Sequence, residues 1–92
     1  MELERLEEGE HDLTFKVVGE DHTFCNALRS VLLEDANVVN ASYTVEHPLL
    51  EAPKFHVRVK RGSPELALTR AAQRMLKSLE ELREKLLKAL KE

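Results

Sequence analysis

Residues 13–18 read Leu-Thr-Phe-Lys-Val-Val, with Leu13, Phe15 and Val17 on one parity and Thr14 and Lys16 on the other. Side chains alternate across a strand, so this pattern predicts a half-buried β-strand. The same period recurs twice. Val39, Ala41, Tyr43 and Val45 alternate with Asn40, Ser42 and Thr44, and Phe55, Val57 and Val59 alternate with His56, Arg58 and Lys60. His47-Pro48 ends the first of these runs, and the loop to Pro53 joins the two as a hairpin. Residues 3–8, closed by Glu8-Gly9-Glu10, are the expected hairpin partner of 13–18, although Leu3 and Leu6 break the alternation.

Two segments change to a helical period. Phe24, Ala27, Leu28, Val31 and Leu32 follow the N-cap oxygens of Asp21-His22-Thr23 and mark an amphipathic helix ending near residues 34–37. Arg61-Gly62 is a stop, Ser63 can cap, and Pro64 suits the first position of a second helix. Neither Gly nor Pro occurs from there to the end. The order ββαββα predicts an α+β fold, a four-stranded antiparallel sheet with two helices on one face and a long C-terminal helix. Residues 1–92 are expected to form one domain.

The long helix does not fit that domain. Leu68, Ala72, Met75, Leu79, Leu82, Leu86 and Ala89 are separated alternately by four and three residues, a heptad seam. A helix from Pro64 to Lys91 is about 42 Å long at its normal rise. A globule of this size has a radius of gyration of only about 12 Å, so part of the seam must run past its own sheet. An apolar seam left in water associates. The helix after Asp21 also carries more apolar surface than one sheet needs, with Leu33 and Cys25 off its main stripe. The expected partner interface is therefore Phe24, Ala27, Leu28, Val31 and Leu32 on the first helix, with Leu68, Ala72, Met75, Leu79, Leu82 and Leu86 on the second.

Composition narrows the function classes. Charged residues reach 34% and the net charge is −3, which argues against a free-standing nucleic-acid binder. The basic row Lys54, His56, Arg58 and Lys60 lacks outward aromatic rings for base stacking, because Phe15, Tyr43 and Phe55 have the inward parity. The single cysteine excludes an internal disulfide and any Cys-pair zinc site, and fits a reducing compartment. No apolar run approaches the roughly 20 residues of a membrane span. The N-terminus lacks an apolar signal core, so a cytoplasmic location is expected.

Candidate chemistry is sparse. His22 and Cys25 are three residues apart at a helix start, but two ligands do not hold a structural zinc. Cys25 beside His22 has the outline of an activated thiol without an orienting third residue. The bland alternatives are a helix-entry histidine and a core cysteine. Glu80-Glu81 fits a solvated helix face, and the three glycines form no phosphate loop. No cofactor, metal or catalytic residue is expected.

The run His22-Thr23-Phe24-Cys25-Asn26-Ala27-Leu28-Arg29-Ser30-Val31-Leu32-Leu33 resembles the helix motif of the alpha-type assembly subunits of multisubunit RNA polymerases. The segment from Tyr43 through His47-Pro48-Leu49 to Lys54-Phe55 resembles the short archaeal and eukaryotic members, above all the archaeal subunit L type. The resemblance implies a non-catalytic subunit. Such a subunit pairs, helices against helices, with a larger alpha-like subunit (D type), and the pair is a platform for the large catalytic subunits. Arg29 matches the motif, and with Asn26 it is the implied contact to a large subunit. Cys25 stands where relatives often have Gly, and Ser30 stands where bacterial relatives have a second Arg. The alternative reading is a homodimeric α+β module that binds a small ligand or RNA.

Overall fold

The computed structural model describes residues 2–45 and 52–91. The elements are β1 (Glu2–Glu8), β2 (Asp12–Val18), α1 (His22–Leu33), β3 (Val38–Thr44), β4 (Lys54–Val59) and α2 (Pro64–Lys91). The expected ββαββα order is observed, and the strands form one antiparallel sheet in the order β1-β2-β4-β3. Two hairpins thus meet at β2 and β4. His47-Pro48, expected to end the third strand, and Leu49 of the segment that carries the resemblance lie outside the described residues.

One face of the sheet makes the core. Leu13, Phe15 and Val17 of β2 face the helices beside Phe55, Val57 and Val59 of β4, all buried. Registers put Phe15 opposite Phe55 and Phe55 opposite Tyr43. The three rings stack across three strands, with centroids 5.5 Å and 6.2 Å apart. Rings in adjacent register add attraction beyond their buried area. This places every strand aromatic on the helix side and leaves the opposite face to Thr14, Lys16, Ser42, Thr44, Lys54, His56 and Arg58.

Bulges explain both departures from simple alternation. In β1 the register shifts between Arg5 and Glu7, with Leu6 as the extra residue. Leu3, opposite the buried Val17, keeps the helix-side parity. A bulge inserts one unpaired residue and reverses the side-chain phase beyond it, so that Glu8 rather than Glu7 falls opposite the buried Leu13. In β3 the shift falls between Val38 and Asn40, so Val38 sits opposite Val59 and packs on the core. Val39, expected to point inward, is instead 54% exposed.

Local chemistry sets the helix starts. The Asp21 carboxylate accepts the backbone N–H groups of Thr23 and Phe24 and opens α1. Ser63 Oγ accepts the N–H of Leu66 and opens α2. Before it, Gly62 takes a left-handed conformation at φ 72°, which only glycine adopts without cost. The Asn37 side chain donates to Arg61 O and accepts from Arg61 N, while His11 Nδ1 bonds Gly62 O. These contacts fix where α2 leaves the sheet.

Only Pro64, Ala67 and Ala71 of α2 are buried. Leu68 and Met75 are the last side chains of the helix that pack on the core. The radius of gyration is accordingly 15.0 Å and the longest extent 50 Å, against about 12 Å for a compact globule of this length. Phe55 lies at the centre of the ring stack with no exposed surface. Phe55→Ala should destabilise the fold by about 3–5 kcal/mol, measured by denaturant titration.

Candidate partner interface

The two helices lie side by side on the sheet and are clamped where α1 ends. Arg70 Nε donates to Asp35 Oδ2 at 2.8 Å, and Arg74 lies 3.8 Å from Glu34. Asp35 also accepts the N–H of Asn37 at 2.9 Å, which turns the chain into β3. At the other end of α1, the Tyr43 hydroxyl and His22 Nδ1 share a hydrogen bond of 2.6 Å. Arg5 reaches Glu65 at 3.8 Å and ties the edge strand to the first turn of α2. An open apolar groove floored by Leu13 and Phe15 runs beneath that contact.

On this frame the predicted interface residues divide by exposure. Leu28 and Leu32 are buried in the chain's own core, Leu32 with no exposed surface. They seat α1 on its own sheet and offer little surface of their own. Phe24, Val31, Leu68 and Met75 are half-buried at the margin of the core. Ala27, Ala72, Leu79, Leu82 and Leu86 are exposed. Of the predicted set, the flank Phe24-Ala27-Val31 and the α2 row Ala72-Leu79-Leu82-Leu86 thus keep apolar surface uncovered. Asn26 and Arg29 are exposed on the other flank of α1, together with Leu33.

Sequence reasoning missed a second row. Leu76, Leu87 and Leu90 are also exposed, Leu90 at 81%. They stand beside the heptad seam and widen its apolar face well beyond a two-stranded contact. The signal was present as leucines directly after the seam residues Met75, Leu86 and Ala89, which widen the apolar stripe of the helix.

Cys25 does not lie off the stripe. It is fully buried at the centre of the α1 contact with the sheet. Burial, with Asp21 and Glu20 nearby, pushes its thiol up from the ordinary value. A thiolate nucleophile needs the opposite shift and an open approach, so the activated-thiol reading is set aside. His22, the other half of that outline, is engaged by Tyr43. Among the described residues, no cluster of three or more His, Cys, Asp or Glu side chains is placed to hold a metal. No helix among them is long and apolar enough to cross a membrane.

A small α+β unit whose helices cover one face of the sheet and leave apolar rows of both helices open has the surfaces of a pairing module. Residues 12–85 match the RNA polymerase Rpb3/Rpb11 dimerisation domain, and the chain belongs to that family. It is 47% identical over 79 residues to DNA-directed RNA polymerase subunit Rpo11 of Thermococcus onnurineus, covering 82% of each chain. It is 37% identical over 83 residues to the Rpo11 subunit of Methanothermobacter thermautotrophicus, covering 90% of this chain and 93% of that one. The crystal structure of DNA-directed RNA polymerase subunit L from Thermoplasma acidophilum superposes with a TM-score of 0.85 at 30% identity. The match covers 95% of this chain and 86% of the other.

The helix clamp has a pH signature. The N–H of Asn37 and the guanidinium of Arg70 hold the Asp35 carboxyl below the usual carboxylate range. A lowered folded-state value means stability that is fully present above the unfolded-chain value near 3.9. That stability is lost as the pH falls through the folded-state value. Asp35→Asn should therefore lower stability at neutral pH and flatten its decline between about pH 5 and pH 2. Denaturant midpoints across that range check it.

Proposed function

We propose that the chain is a non-catalytic assembly subunit of a cytoplasmic DNA-directed RNA polymerase that heterodimerises with a larger alpha-like subunit of the D type. In this reading the uncovered rows of α1 and α2 dock against the helices of the partner. The resulting pair offers one composite surface to the large catalytic subunits, which hold the nucleotidyl-transfer chemistry. The observation that carries the reading is the run of exposed leucines on α2 beyond the reach of its own sheet, Leu79, Leu82 and Leu86 with more than half their surface open. Shielding one such side chain is worth about 1.5–3 kcal/mol, so a handful of them outweighs the ordering of a helix end.

The alternative of a homodimeric ligand- or RNA-binding module has less behind it. Phe15 and Phe55 are buried, and Tyr43 is half-buried in the same stack. No strand aromatic is left to stack on a base.

A carboxylate inside an apolar contact is costly unless paired. Leu79→Glu or Leu82→Glu should abolish heterodimer formation, read by size exclusion with the larger alpha-like subunit, while Glu84→Lys on the opposite side of α2 should not. A normal heterodimer with Leu82→Glu would remove α2 from the interface.

The two flanks of α1 should act at different steps. Successive residues point about 100° apart on a helix, so the side chain of Arg29 is turned away from the buried Leu28. Arg29→Ala should leave the heterodimer intact and weaken recruitment of a large subunit, measured by stepwise reconstitution. Failure already at the pairing step would move Arg29 into the pair interface.

A further inference from the structure

One charged side chain stands inside the exposed leucine face of α2. At 100° per residue, Leu82, Leu86, Leu79, Leu90, Leu76 and Leu87 fall in that order around an arc of about 140°. Arg83 projects between Leu90 and Leu76, with Leu79, Leu86 and Leu87 one turn away along the helix. All six leucines and Arg83 are exposed. Arg83 forms no ion pair among the described residues. Glu80 stands one turn back at the margin of the arc, and Glu81 and Glu84 lie outside it.

A guanidinium in the middle of an apolar contact loses its water when the face is covered. That loss is offset only if the covering surface supplies an acceptor, and a carboxylate in the bidentate geometry is the strongest. Arg is also the cation best suited to such a planar, partly desolvated contact. A second copy of this chain has no carboxylate to offer there. In a parallel pairing along the seam, Ser78 faces Arg83. In an antiparallel pairing with Leu79 and Leu82 as facing layers, Leu76 does.

Resting on the pairing proposed above, we infer that Arg83 is the partner-selecting residue of the α2 face. It admits a helical surface that carries an apolar groove with a carboxylate set into it, and it disfavours self-pairing. Polar groups at single positions of helical seams select partners in this way, at a cost in raw affinity.

The test uses the full chain with the larger alpha-like subunit. Arg83→Glu should weaken the heterodimer by at least about tenfold at low salt, whereas Lys77→Glu, the same change of charge on the far side of α2, should alter it by less than about twofold. Arg83→Leu closes the break in the leucine face. It should raise self-association in sedimentation equilibrium while circular dichroism stays unchanged. Should Arg83→Glu pair as tightly as Lys77→Glu while Leu82→Glu does not pair, Arg83 is a solvated charge and the inference fails with the pairing intact. Should Leu82→Glu also pair normally, the pairing through α2 fails and the inference with it.

Discussion

The structure turns on a mismatch of lengths. A 28-residue helix extends about 42 Å, and the sheet beneath it gives contact only as far as Met75. The buried side chains of α2 all lie before that residue, and every side chain from Leu76 to Lys91 is exposed. Because the apolar period continues unbroken across the boundary, the same repeat that packs Leu68 and Met75 on the core presents Leu79, Leu82 and Leu86 to solvent. No local feature of α2 marks the point where its role changes. The edge of the sheet does.

The remaining contacts keep that mismatch in place. Stacked Phe15, Phe55 and Tyr43 make three strands rigid under the helices. Asn37 and His11 hold the turn that aims α2, and Arg70 with Asp35 ties it to the end of α1. These are modest interactions, and the ion pairs lie near the surface where each is worth little. Their value is geometric, since a small swing of α2 at its start is multiplied along its length.

The sequence pattern carried the element order, the helix limits and the uncovered seam, because periodicity reports directly which side chains face apolar surroundings. It failed where phase changed inside an element. Val39 has the parity of an inward residue, and only the bulge ahead of Asn40 turns it outward. The site was legible as a stripe and not as an exposure map. Leu32 and Leu82 look alike in a repeat, yet one is sealed in the core and the other is open, and that difference depends on how far the sheet extends. Cys25 was misplaced for a related reason. The true contact line of α1 passes through Cys25, Leu28 and Leu32, about 80–100° round the helix from the line through Phe24 and Val31, and a wide apolar stripe does not show its own centre.

The two edges of the sheet also differ in kind. β1 carries Glu2, Glu4, Glu7 and Glu8, while β3, at the opposite edge, has no charged residue from Val38 to Thr44. Charged edges resist strand-to-strand addition, so the acidic strand protects one border of the sheet from fibrous stacking. The long helix has no such guard. A newly made chain without a companion displays a leucine-lined end whose backbone is held by helical bonds alone, and such ends are where proteases gain entry. A companion seated on those leucines would therefore guard the chain as well as pair with it.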